Sequence, residues 1–168
     1  MSMESLLKLI MEAIVERNRY FTEEPLIPKA SGGATGAQLS DLETHWGIKL
    51  PPSYRAALAV HNGITNFYFD VPLLSTQQII NDTNESKTFQ EFFPALWRYI
   101  FACGTGSYDA ICFDRSQPAP SGEMPVVRLD DHGEAERWPQ FDVFLNEYLQ
   151  RLSQQIADEK ANRQNLPE

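Results

Sequence analysis

The chain has 168 residues, 42% of them hydrophobic, with 23 acidic and 14 basic side chains and a formal net charge of -9. A chain of this length suits one compact domain that buries roughly 70% of its unfolded surface and needs neither disulfide nor metal to hold a core. The acid excess argues against nucleic acid as a direct partner, because phosphate binding needs a basic footprint; it suits solubility or a basic protein partner.

The N-terminal stretch "MSMESLLKLIMEAIVERN" places Leu6, Leu7, Ile10, Ile14 and Arg17 at helical spacing. Glu4, Lys8 and Glu12 interrupt it, so it reads as an amphipathic helix and not as a signal peptide. No run approaches the roughly 20 apolar residues of a membrane span, and the expected location is cytoplasmic. Pro25 and Pro28 break the pattern, and "KASGGATG" reads as a flexible connection. Residues 1–30 are therefore expected to form an appended helix and linker, 31–157 the main domain, and 158–168 a polar tail that frays.

Thr35 followed by Gln38 predicts a capping box, Leu39, Leu42 and Trp46 share one helical face, and Gly47 supplies a left-handed stop. Pro51-Pro52 predicts the start of another helix, carried by Tyr54, Ala57, Leu58 and His61 and ended by Asn62-Gly63. "TNFYFDVPLL" reads as strand and "STQQIIN" as a short helix capped by Ser75 or Thr76; residues 81–94 read as a loop with a helical turn. "WRYIFACGTGSYDAICFD", "EMPVVRLDD" and "EAERW" predict three or four strands joined by short turns, hence antiparallel. Phe141, Phe144, Leu145, Tyr148, Leu149, Leu152 and Ile156 then give the strongest helical pattern in the chain. The fold class is α+β, an antiparallel (mixed) sheet meander covered by helices.

Gly104-Thr105-Gly106 invites a phosphate-loop reading, but no lysine follows, the segment runs strand to strand, and Asp109 and Asp114 are the nearest following charges. It is expected to be a hairpin turn over Gly104–Ser107. That turn sets Cys103 opposite Tyr108 and Cys112 near Tyr99, on the order of 13 Å apart, so both thiols are expected free. His45, His61 and His132 have no metal-ligand spacing, no GxSxG elbow is present, and no cofactor or metal is expected.

The stretch "ATGAQLSDLETHWGIKLPPSYRAALAVHNG" resembles the N-terminal signature of the SUKH superfamily through Leu42, Glu43, Gly47, Leu50, Pro51, Tyr54, Arg55, Leu58, Asn62 and Gly63. "YIFACGTGSYDAICFD" resembles its second motif through Phe101, Gly104, Gly106, Asp109 and Asp114, and "MPVVRLDDHGEAERWPQFDVFLNEYL" its third. The resemblance spans roughly residues 34–150. It implies a SUKH-like single domain with an extra N-terminal helix, and a binding domain in place of an enzyme. Many bacterial relatives are immunity proteins that bind a toxin delivered by neighbouring cells, often a nuclease; fungal relatives act in regulating cell-wall synthesis.

The expected function is therefore an immunity protein that blocks a cognate toxin by direct contact. Acidic groups would steer a basic nuclease domain by mimicking phosphate. Asp70, Asp109, Asp114, Asp130, Asp131, Glu134 and Glu136 are the candidate contacts, and Tyr108 and Trp138 the candidate aromatic anchors, although both aromatics also suit a core. Two alternatives stand beside it: a regulatory or scaffolding domain with no toxin partner, and a small-molecule binder or enzyme with an enclosed polar pocket. The sequence leaves oligomeric state open, because the first helix can pack on its own domain or on a second copy.

Overall fold

The computed structural model describes residues 1–24, 26–69, 71–81, 97–104, 110–130 and 132–164. Helix α1 (Met3–Phe21) starts where the Ser2 hydroxyl accepts from the Ser5 N–H, and it buries Leu6, Leu7, Ile10 and Ile14. Its partner is the last helix of its own chain, α5 (Phe141–Gln164). Arg17 Nε donates to Gln155 Oε1 at 2.8 Å, Lys160 Nζ to Glu16 Oε1 at 2.6 Å, and Arg163 Nη2 to the Tyr20 carbonyl at 3.0 Å. The helical pattern after Ala157 thus continues to Gln164, because α1 gives its polar residues partners.

The connection after α1 is not a free linker. The Thr65 N–H donates to the Lys29 carbonyl at 3.0 Å, Ser31 N–H to the Gly63 carbonyl at 3.0 Å, and Asn62 N–H to the Gly32 carbonyl at 2.8 Å. Gly33 then passes so close to the next helix pair that a Cβ there would lie 2.0 Å from the Ala59 carbonyl oxygen, so only glycine fits.

Helix α2 (Gly36–Trp46) opens with the expected capping box of Thr35 and Gln38 and closes at Gly47, φ 69°. Helix α3 (Pro52–Val60) has no cap from its own neighbours. The cap comes from Glu123, whose carboxylate accepts from the Ser53 N–H at 2.8 Å and from the Ser53 hydroxyl at 2.7 Å. Glu123→Ala is expected to cost about 1–2 kcal/mol in urea unfolding, since a buried helix start would lose its acceptor. Glu43 braces the α2–α3 corner: its Oε1 accepts from the Leu50 N–H at 3.2 Å and from Arg55 Nη1 at 3.0 Å.

The sheet comprises β1 (Ile64–Tyr68), β2 (Val71–Leu73), β3 (Tyr99–Cys103), β4 (Ala110–Asp114), β5 (Val126–Asp130) and β6 (Gly133–Trp138), with α4 (residues 76–81) after β2. The strands pair in chain order and every pairing is antiparallel. "TNFYFDVPLL" is therefore two strands and not one; Phe69, φ 40°, reverses the chain inside an apolar run that carries no glycine to announce a turn. Ser75, not Thr76, caps α4, with Gln78 completing a capping box. The expected loop at 81–94 lies almost wholly outside the described residues.

One face of the sheet and α1, α2, α3 and α5 enclose a single core. Tyr54, Phe113 and Phe141 meet at its centre with ring centroids 4.7 Å and 5.2 Å from Tyr54. On the other face, Ala110, Cys112 and Val127 form a small second cluster. The β3–β4 register corrects the expected hairpin: Phe101 faces Cys112 and Cys103 faces Ile111, with a bulge between Phe101 and Cys103. The two cysteines are thus one step apart along the ladder, not four. They remain free because Cys103 belongs to the main core and Cys112 to the opposite face. Burial pushes both thiols well above their ordinary pKa, so neither is a nucleophile at neutral pH. No described helix is long and apolar enough to cross a membrane.

Candidate functional site

In an antiparallel meander, alternate connections leave the same end of the sheet. The β1–β2, β3–β4 and β5–β6 connections therefore share one end, and the Gly104 N–H donates to the Pro72 carbonyl at 3.2 Å where the first two approach. Of the expected contact residues, Asp70, Tyr108, Asp109 and Asp131 belong to these connections in sequence and lie outside the described residues. Asp130 stands at the same end, where its carboxylate accepts from the His132 N–H at 2.8 Å. Glu134 follows on β6, opposite Leu129. Much of the net negative charge belongs to Asp70, Asp82, Glu85, Glu91, Asp109, Asp131 and Glu168, all outside the described residues and accompanied there only by Lys87.

Asp114 and Trp138 sit toward the other end and are buried, 0% and 5% exposed. Both were expected at a partner surface; packing assigns them internal roles. Arg98 Nη2 donates to Asp114 Oδ2 at 2.5 Å, Arg137 Nη2 donates to the same oxygen at 2.8 Å, and the Ser116 N–H and hydroxyl donate to Oδ1 at 3.1 and 2.6 Å. Burial disfavours the carboxylate, but the hydrogen bonds from Arg98, Ser116 and Arg137 outweigh it and hold the group well below the usual carboxyl range. Trp138 donates its Nε1–H to Glu147 Oε2 at 2.7 Å.

The carboxylates of β6 are likewise engaged. Glu134 takes two bonds from Arg137, at 2.6 and 2.8 Å, which lower its pKa. Glu136 accepts from Arg151 Nη1 at 2.9 Å and lies 3.6 Å from Arg128 Nη2. Arg151 also reaches Glu147 Oε1 at 2.5 Å. This face is therefore a lattice of alternating charges, not a bare acidic patch. Among the described residues no group of three or more His, Cys, Asp and Glu side chains converges to hold a metal ion.

An exposed aromatic at the hairpin end escaped the sequence reading. Phe69 forms the tip of the β1–β2 hairpin, 46% exposed and at positive φ, a conformation that costs a bulky residue energy. Its ring lies 5.3 Å from the Arg17 guanidinium carbon, which also stands 4.9 Å from the ring of Phe21, itself 50% exposed. The only signal in the sequence was the Phe69-Asp70 pair between two β-rich runs, and the aromatic ring masked it. A family model described as "SMI1 / KNR4 family (SUKH-1)" matches residues 33–147. A search of curated proteins found no match.

Proposed function

The chain belongs to the SMI1/KNR4 family (SUKH-1), and on that premise we propose that it is a cytoplasmic immunity protein that neutralises a cognate bacterial toxin by direct protein–protein binding. Family membership carries this reading, because the SUKH fold is used in bacteria to bind toxins. Two features of the molecule support it. The meander gathers three hairpin connections at one end; the sequence of those connections supplies Asp70, Tyr108, Asp109 and Asp131, and Asp130 ends β5. Phe69 adds an exposed aromatic at the same end, of the kind that anchors interfaces. A basic toxin domain, such as a nuclease, fits this end by charge, with acidic groups steering its approach. Glu134 and Glu136 are already matched by Arg137, Arg151 and Arg128, and Asp114 and Trp138 are buried, so the steering falls to the other acidic residues.

The test is co-expression with the gene next door. Growth rescue and a purified complex are expected, and Phe69→Ala should weaken that complex by roughly 30-fold, the loss of one buried aromatic anchor. Absence of both rescue and complex overturns the proposal. A pull-down that returns wall-synthesis or signalling proteins in place of a toxin favours the scaffolding alternative.

A further inference from the structure

Phe69 is one side of a wider apolar patch that joins the β1–β2 turn to the end of α1. Phe21, Leu26, Ile27 and Phe69 are all large apolar side chains left exposed. The Arg17 guanidinium stands between the two phenyl rings, its carbon 4.9 Å from the centre of Phe21 and 5.3 Å from that of Phe69. Two hydrogen bonds fix it there: Nε donates to Gln155 Oε1 at 2.8 Å, and Nη1 to Asn18 Oδ1 at 3.2 Å. Asn18 also donates to the Leu26 carbonyl at 2.8 Å, and Asn66 to the Ile27 carbonyl at 3.3 Å, which sets the turn after α1 beside the hairpin. Both acceptors of Arg17 are neutral amides. Arg55, Arg98, Arg128, Arg137, Arg151 and Arg163 each meet a carboxylate, whereas Arg17 meets none within 4 Å among the described residues. Its charge is thus unbalanced, already oriented, and flanked by apolar surface of the kind that marks an interaction site.

We infer that this patch takes a short extended segment of a protein partner in which an acidic residue has an apolar residue two positions away on each side. Side chains two apart on an extended chain project to the same face, roughly 7 Å from one another. The central carboxylate therefore accepts from the remaining N–H groups of Arg17 while the flanking apolar side chains lie on Phe21 and Phe69. Charge selects the acid: a purely apolar occupant would cover the guanidinium without a counter-charge, and a basic one would add repulsion. Phe69 is shared with the hairpin end, so the segment is assigned to the same partner. That identification rests on the proposed function, whereas the chemistry of the patch does not. Arg17, Phe21, Leu26 and Ile27 all precede position 33, where the family match begins.

The probe is acetyl-Leu-Ser-Glu-Ser-Leu-amide titrated into the full chain and followed by chemical shifts, with lysine in place of the glutamate as its counterpart; no toxin is needed. Binding of the glutamate peptide about tenfold tighter than the lysine peptide is expected, the yield of one charge-assisted contact. The largest shifts are expected at the Arg17 Nε–H and at the amides of Phe21, Leu26, Ile27 and Phe69. Arg17→Gln should reduce the preference between the two peptides to about twofold or less. Phe21→Ser should weaken the glutamate peptide about tenfold at an unchanged unfolding midpoint, because that ring is half-exposed. No binding, equal binding of both peptides, shifts confined to other surfaces, or an Arg17→Gln variant that folds and keeps the preference each overturn the inference. If Arg17→Gln fails to fold, Phe21→Ser decides, and parent-like binding by it overturns the inference. A co-expression experiment without rescue or complex, beside a glutamate peptide that binds as expected, would remove the toxin and leave the patch.

Discussion

Replacing Asp114 with asparagine is expected to lower the unfolding free energy by about 3 kcal/mol, measured by urea titration at pH 7. The carboxylate is fully buried and is the meeting point of β3, β4 and β6: Arg98 precedes β3, Asp114 ends β4 and Arg137 lies on β6. Removing one partner of a buried ion pair typically costs ~3–5 kcal/mol, because the remaining charges lose their compensation. The lower end applies here, since both arginine side chains are 33% exposed and can turn toward water. The sign with pH follows from the depressed folded pKa. The contribution is fully present above the unfolded carboxyl value of roughly 3.9 and is lost as pH falls toward the lower folded value. The wild type should therefore lose stability from about pH 5 downward more steeply than Asp114→Asn, and the two curves should converge in strong acid. A loss under about 1 kcal/mol at pH 7, or parallel acid limbs, would show that the arginines are satisfied without Asp114.

Deleting residues 1–24 is expected to abolish cooperative folding. The four α1 side chains Leu6, Leu7, Ile10 and Ile14 are buried in the one core that also holds Leu42, Leu58, Phe144 and Tyr148. At roughly 1.5–3 kcal/mol for each buried aliphatic side chain, their loss amounts to about 6–12 kcal/mol, comparable with the entire stability of an ordinary domain. The deletion also uncovers the apolar stripe of α5, so the product should be recovered insoluble or with a broad, non-cooperative melt by circular dichroism. A truncated chain with a sharp unfolding transition would instead show that residues 31–157 form an independent unit. The same contacts explain why α1, which the family match does not include, lies on its own domain: its buried stripe and that of α5 are mutually complementary.

Much of the architecture was legible because its signals are local. The Thr35-Gln38 cap, the Gly47 stop, the Pro52 start and the spacing from Phe141 to Ile156 each act within a turn or two of helix, and the structure has them where the spacing puts them. The run of strands after Trp97 was legible for the same reason, since short turns force neighbouring strands into antiparallel pairs.

The candidate site was less legible. The count of acidic residues was plain, but not which of them face a partner. Asp114 and Glu134 differ little as letters, yet Asp114 is enclosed by two arginines and a serine, 16 and 23 residues away in the arginine bonds. Trp138 was a candidate anchor until β6 turned its ring inward and Glu147 accepted its N–H. The β3–β4 register, and with it the separation of Cys103 from Cys112, depended on a bulge that no residue in the stretch announces.

By itself, then, the sequence determined that the chain is an acidic α+β domain with capped helices and a meander, because periodicity, caps and turns are set by neighbours along the chain. Only the tertiary structure decided that Glu123 caps a helix 70 residues away, that Asp114 ties three strands together, and that Phe69 stands half-exposed at the β1–β2 turn. Those outcomes depend on which side chain is desolvated against which. Desolvation is a property of packing across long loops, and the residue types alone leave it free.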